Sequence, residues 1–566
     1  MWNEQSRRRN MSSWKVILMV AVLMLVVSEP GPAQADMYYV PDDFSTIQAA
    51  LDIATAGDEI VVRDGVYTGD GNKNLSFKGK AIILRSENGP TGCIIDCQYE
   101  GRAFVLNSGE TADSVISGFT IMHGNESVGA GIICYNSSSP TISNCTITGC
   151  MAVEGAGIHC GSLSSPVIIG CTLSENASLL YGGAVFLSNS SPTISGCEIV
   201  ENSSNYGGGI FCDASPLSII EDSHITGNTS TTAGGGIYSS NSLLTLSKCV
   251  LSRNAAVYEG GGLCSSSASL EMTGCDISEN WAVNCGGGMY IIDSSASVTN
   301  CIIKDNVVNS YGGGICCRNS SPIITHCSIG ENMALMGGGI YFYADYSLPP
   351  STITNSIFWN DDATFGPEMA VRYGAAASVD YSDVEGGEAT AYVDGGGALV
   401  WGENNIDAAP LFIGPDDFHL SWGSPCIDSA TDAGIYDDVD GDNRPHGFGF
   451  DMGADEFLLV SLHLVPDAVV IPPMGTLGYT ATAVNNTGEP QAVVYWTNVT
   501  LPDGTIYPPT GAFYGVIVML EPFSGYTRHL THAVPNRSPV GNYTYNAYVG
   551  ANPMMDEDHF DFEVSP

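Results

Sequence analysis

Three aspartates, Asp438, Asp440 and Asp442, alternate around Gly441. Carboxylates at i, i+2 and i+4 in a loop suit a hard cation such as Ca²⁺, which takes about six to eight oxygen ligands. The terminal glutamate of an EF-hand is missing at its place, so the motif is not one. A calcium ion here would be structural and would brace its loop; a solvated acidic turn is the competing reading. A second acidic set, Glu175, Glu201, Glu279, Asp305 and Glu331, recurs at a fixed interval interrupted by Gly227 and Arg253. Stacked carboxylates repel unless solvated or bridged by cations, so a wet, solubilising face is the reading beside cation binding. Tyr181, Tyr206 and Tyr311 each precede a glycine-rich tetrad and form a candidate ligand face. Their rings could stack on sugars, or pack within a corner of the fold.

Little else points to turnover. Between residues 129 and 340 the basic residues are Lys248, Arg253, Lys304 and Arg318, and they share no column. His159, His224 and His326 also stand apart from one another, as turn or core histidines do. No catalytic residue and no bound organic cofactor are assigned.

What positions these side chains is a repeat of about 26 residues. Tetrads recur as Gly129-Ala130-Gly131-Ile132, Gly155-Ala156-Gly157-Ile158, Gly182-Gly183-Ala184-Val185 and Gly207-Gly208-Gly209-Ile210, and continue to Gly337–Ile340. Cys145, Cys171, Cys197, Cys249, Cys275, Cys301 and Cys327 fall on one 26-residue grid, with Ser223 in the gap. Five residues after each grid position from Cys171 onward comes Asn176, Asn202, Asn228, Asn254, Asn280, Asn306 or Asn332. So short a period means one supersecondary unit per repeat, stacked on its neighbours. Each unit holds three short β-like segments, of the types Gly209–Cys212, Pro140–Ile142 and Cys145–Ile147, and none long enough for a helix. The expected fold is all-β, a right-handed parallel β-helix. Cysteine and isoleucine point inward as a ladder of free thiols, because directly stacked residues stay too far apart for disulfides. Cys93 and Cys97, off the grid, form the expected disulfide. The asparagines are assigned to a left-handed turn with stacked side-chain amides, and the glycines to a corner that excludes a Cβ.

The Gly-Gly-x-Ile tetrad with its Asn-ended partner resembles the repeats of polymorphic outer-membrane proteins, and more broadly the pectin-lyase-like right-handed β-helix superfamily, over roughly residues 37–360. The partner motif in those repeats begins with Phe; here it begins with Cys. The opening Phe44–Ala50 through Asp64–Tyr67 is similar to the first coil of pectin methylesterases, without their downstream segments. The resemblance implies a bacterial surface or secreted protein. It also raises a Ca-dependent polysaccharide lyase or glycoside hydrolase as the alternative function. Lyases of the fold use a basic residue as the base and hydrolases an aspartate cluster, and neither pattern occurs between residues 129 and 340.

The ends complete the organisation. Residues 1–35 carry Arg7, Arg8, Arg9 and Lys15, an apolar run from Val16 to Val27 and the small residues Ala33 and Ala35, the pattern of a signal peptide cut after Ala35. That run is too short to span a bilayer, and no later stretch is apolar enough to do so. Residues 36–403 are the β-helix, opened by a capping helix over 44–57 with Ser45 and Gln48 as a capping box. Residues 404–457 form an acidic tail cap similar to the segment behind such helices in bacterial surface proteins. Residues 458–566 hold about seven alternating runs, among them Leu477–Val484, Val493–Val499 and Gly541–Val549, an Ig- or fibronectin-like β-sandwich. The formal charge of −43 repels nucleic acid and anionic lipid. The reading is a secreted or cell-surface, non-catalytic protein of adhesion, glycan recognition or scaffolding, with an extracellular polysaccharide or surface protein as partner.

Overall fold

A computed structural model describes residues 35–508, 514–550 and 554–565. The leader expected over 1–35 lies outside the described residues but for Ala35. From Met37 onward the chain winds into a parallel β-solenoid with long sheets of 15, 13 and 12 strands. The 15-stranded sheet takes the Pro-x-Ile segments, such as Thr141–Ser143 on Val167–Ile169. The 13-stranded sheet takes the Cys-x-Ile segments, such as Thr146–Thr148 on Thr172–Ser174. The 12-stranded sheet takes the segments after the glycines, such as Ile158–Gly161 on Val185–Ser188. A nine-stranded sheet, from Met151–Glu154 to Asp362–Phe365, adds a fourth short strand to these coils after each asparagine.

The core follows from the strand period of two. Ile142, Ile147 and Ile158 point inward from three sheets and are fully buried, and the coils up to Ile340 repeat this triplet with Ile, Leu, Val or Met. The grid cysteines lie in the same core, and all 18 cysteines are free thiols. At the gap in the grid, the Ser223 hydroxyl donates to the Glu221 carbonyl at 2.7 Å and accepts the Cys197 N–H at 3.1 Å, filling the place of a thiol.

Three expectations need correction. Cys93 and Cys97 are not bridged. They point inward from one extended stretch four residues apart, about 13 Å at the strand rise, too far for a disulfide. The capping helix spans only Ile47–Ile53, and its N-cap is Thr46, whose hydroxyl accepts the Ala49 N–H at 3.3 Å. Gln48 instead reaches Ser76, accepting its N–H at 2.9 Å, and so ties the helix to the coil beneath. The asparagines, finally, are not the left-handed residues. That conformation belongs to the acidic column before them, Glu175, Glu201, Arg253, Glu279, Asp305 and Glu331, with φ between 55° and 60°.

The left-handed residue turns each following asparagine into the core, where Asn176 through Asn332 are fully buried. The amides then run as one ladder. Asn202 Oδ1 accepts both the backbone N–H and the Nδ2 of Asn176, at 3.0 and 3.1 Å, and Asn202 repeats both bonds to Asn228. Each Nδ2 also donates to a core-strand carbonyl, Leu173 for Asn202 at 2.9 Å. At the far end Asn332 donates twice to the Asp361 carboxyl, at 2.8 and 2.9 Å, which closes the polarised chain on an acceptor oxygen.

Residues 404–457 run back along the flank of the coils. The Lys304 ammonium donates to the Asp416 carbonyl, Asn300 Nδ2 to the Asp437 carbonyl, and the Ala454 N–H to the Ser328 hydroxyl. Beyond them, an antiparallel three-stranded sheet (Val460–Pro466, Thr476–Asn485, Gly525–Ala533) packs on a second sheet built around Gln491–Thr500, Gly541–Gly550 and Met554–Val564. The two sheets share a core including Val460, Leu462, Tyr479, Tyr545, Phe560 and Phe562, the arrangement of a β-sandwich. No helix among the described residues is long and apolar enough to cross a membrane.

Candidate functional site

The glycine corner gathers aromatic residues on the outer face of the solenoid. The first glycine of each tetrad has positive φ, 64° at Gly207, so the chain reverses sharply there. The next two lie against the following coil: a Cβ on Gly208 would meet the Gly235 carbonyl oxygen at 2.3 Å. This turn sets the residue before the tetrad opposite the second residue of the strand after it, both facing outward. The contact is diagonal, from one coil to the next. Ring centroids are 4.6 Å apart for Tyr181–Phe211, 5.3 Å for Tyr206–Tyr238, 4.9 Å for Tyr311–Tyr341 and 5.2 Å for Phe365–Tyr392.

Along one wall the rings also stack coil on coil. His159–Phe186, Phe186–Phe211 and Phe211–Tyr238 lie 4.9, 5.5 and 5.2 Å apart, with interplanar angles of 13°, 14° and 2°. Those separations match the strand spacing of about 4.8 Å, because in-register parallel strands place equivalent residues one above the other. The sequence reading found Tyr181, Tyr206 and Tyr311 but missed this wall, whose members share a position and not a residue type. Tyr181 and Tyr206 are brought together, at 5.9 Å. Tyr311 stands four coils further on.

At the N-terminal part of the wall the groove opens to about 720 Å³, lined by Tyr135, Glu154, His159, Tyr181, Phe186 and Asp213 among others. His159 is nearly buried and burial pushes its imidazole down to about 4, so it is neutral near pH 7. Its Nδ1 is buried without a hydrogen-bond partner. The groove therefore offers flat apolar faces and two acidic rims, while the unpartnered His159 nitrogen lies buried behind them. His224 lies outside it, exposed beside Glu198 at 3.7 Å. His326 is buried under the tail segment, 3.1 Å from the Asp451 carbonyl. Lys304 and Arg318 are likewise engaged elsewhere, with the tail and with Asp345.

The acidic loop has a different geometry from a three-carboxylate cage. Asp438 Oδ1 accepts the N–H groups of Asp440, Gly441 and Asp442 at 2.8–2.9 Å, and Oδ2 accepts the Glu456 N–H at 3.0 Å. Asp440 turns to His419, 2.7 Å from Nε2, and Asp442 lines the same cavity as both. The groups that could share a cation are His419, Asp440 and Asp455, whose ligand atoms lie within 4.8 Å of one another. The hydrogen bond to Asp440 holds the His419 imidazole up to about 10, so without a cation it is protonated and itself bridges the acids. Burial pushes Asp455 up to about 7. One imidazole and two carboxylates suit a borderline transition ion at least as well as calcium.

Comparison with known proteins follows the fold. No curated protein sequence matches this chain. Among solved structures, pectate lyase Pel9A is 13% identical, covering 75% of this chain and 97% of its own, with a TM-score of 0.34. The enzymatically active domain of tailspike protein 4 from bacteriophage CBA120 is 10% identical, covering 92% and 65%, with a TM-score of 0.21. The CARDB domain of a Pyrococcus furiosus protein, solved with di-metal ions, is 18% identical and covers 19% of this chain and 90% of its own, with a TM-score of 0.16. The family described as a right handed beta helix region matches residues 60–220 and 203–358, more than half of the sequence. By that match, and by coils stacked in parallel register along the whole of it, this chain belongs to the right-handed β-helix family.

Proposed function

We propose that this is an exported, non-catalytic β-helix protein of the cell exterior that binds extended glycans along the glycine-corner groove. The observation that carries the reading is the pairing of half-exposed Tyr181 and Tyr206 with a stacked aromatic wall in an open groove rimmed by Glu154 and Asp213. Flat apolar faces with polar rims fit a pyranose, which has one apolar face and a girdle of hydroxyls. The features repeat with the coil, so weak contacts with a long chain sum through effective concentration. The tetrads' likeness to polymorphic outer-membrane repeats and an Ig-like kinship of the C-terminal sandwich support display outside the cell. The strongly negative charge disfavours polyanionic glycans and favours neutral ones.

The test is affinity for neutral oligosaccharides of increasing length, with a parallel assay for new reducing ends and unsaturated products. Affinity that rises with length and falls about tenfold in Tyr181→Ala/Tyr206→Ala, without product, supports the proposal. Product formation abolished by one acidic substitution would establish the lyase or hydrolase alternative. The acidic loop enters this reading as a cation-dependent brace, with calcium as the first ion to test. The melting temperature should rise when calcium replaces chelator and should not rise in Asp440→Asn; no difference between calcium and chelator removes the brace.

A further inference from the structure

The diagonal contact across the glycine corner holds aromatic pairs in four places and a pair of thiols in one. Cys285 precedes the tetrad Gly286–Met289, and Cys316 is the second residue of the strand Ile315–Arg318 in the next coil. They occupy the positions of Tyr181 and Phe211, of Tyr206 and Tyr238, and of Tyr311 and Tyr341. The register agrees, since Cys285 bridges Tyr311 in parallel and Tyr290 pairs with Cys316. Both cysteines pack in the same outer cluster, with Tyr290 and Tyr341.

Two features separate this pair from the core ladder. The ladder cysteines point into a closed core one directly above another, and that spacing exceeds what a disulfide spans. The side chains at 285 and 316 instead approach from the two walls of a tight turn and face each other. Access differs as well: Cys285 is the one cysteine of the 18 that is not buried. Cys316 beside it is almost inaccessible, and burial holds its thiol well above the usual range.

We infer that Cys285 and Cys316 are a dithiol–disulfide site, a redox clasp that ties two consecutive coils together on the outer wall of the solenoid. The partly accessible Cys285 thiolate attacks a small disulfide such as oxidised glutathione, forming a mixed disulfide and releasing one reduced glutathione. The Cys316 sulfur then attacks the Cys285 sulfur, loses its proton to solvent and expels the second glutathione. Two protein thiols become one disulfide, and one glutathione disulfide becomes two thiols. The order follows from exposure, because the attacking thiolate must meet the reagent and the resolving thiol need not.

The experiment uses the full chain, incubated with oxidised glutathione at neutral pH, alkylated and digested with trypsin without reduction. Cleavage at Arg253, Lys304 and Arg318 places Cys285 and Cys316 in different peptides, so the clasp appears as a linked pair two hydrogens lighter than the sum of its parts. The link should persist in Cys264→Ser, which removes the neighbouring thiol of the cluster. Cys285→Ser should abolish it, and Cys316→Ser should leave a stable glutathione adduct on Cys285. A link that survives Cys285→Ser, or wild-type protein that stops at the glutathione adduct, overturns the assignment.

Discussion

The coils between Asn176 and Asn332 and the tail segment 404–457 both bury polar side chains completely, and they satisfy them in opposite ways. The coils use a neutral amide that is donor and acceptor at once, so each layer completes the next and the ladder carries no charge from Asn176 to Asn332. The tail uses ions. Arg444 and Glu456 form a fully buried pair at 2.9 Å, and the guanidinium also donates to the carbonyls of Asp437, Asp451 and Gly453. Asp451 accepts the N–H groups of Asp428 and Phe457, each at 2.7 Å. A repeated structure can rely on self-complementary groups because its neighbour is always a copy of itself. A segment that appears once has no copy, and each of its buried charges needs a particular partner elsewhere in the sequence.

Substitution should separate the two designs. Arg444→Ala strands Glu456 in a dry site and should cost about 3–5 kcal/mol locally. Asn228→Leu removes the acceptor of two Asn202 donors and should cost about 2–4 kcal/mol. Hydrogen exchange reads where each loss falls: in Arg444→Ala over residues 419–457, in Asn228→Leu over the coils on both sides of residue 228. Equal, chain-wide loosening in both variants would contradict the contrast.

A smaller effect comes from pH. Burial pushes Asp455 and Asp556 up to about 7 and Asp442 up to about 6, while Asp440 raises His419 to about 10. All four hold protons more tightly folded than unfolded. Their contribution is therefore complete below the unfolded values and is lost as pH rises. The window is about 4 to 7 for the carboxylates and about 6.5 to 10 for the imidazole. The asparagine ladder has no such term before Asp361. Exchange protection, corrected for intrinsic rates, should fall between about pH 5 and 9 in the tail and beside Asp556, and hold in coils 176–254. A uniform fall would sink the distinction.

The same contrast explains what could be read without coordinates. Cysteine, asparagine and glycine columns announce the coil because the period repeats the reason for each residue. The left-handed position escaped because Glu, Asp, Arg and Gly share it, and only the turn makes them equivalent. The aromatic wall escaped likewise, with His159, Phe186 and Tyr238 alike in place and not in kind. In the tail, Asp438, Asp440 and Asp442 were visible as a motif, but their partners were not. His419 and Asp455 lie outside the motif and meet it only through folding, and Asp438 is taken up by its own loop's N–H groups. Cys93 and Cys97 looked like a pair by elimination, yet an extended strand holds them apart.

The ladder of matched amides has a consequence for how such a protein changes over generations. Duplicating one whole unit lengthens the rod by about 4.8 Å and hands every donor an acceptor identical to the one it had. Extra residues placed in a turn leave the match intact, as across the 29-residue step from Asn332 to Asp361, whereas those placed inside a strand break it. Length is thus inherited in discrete steps, and a lineage can extend or shorten it by unequal crossing-over without redesigning a single contact.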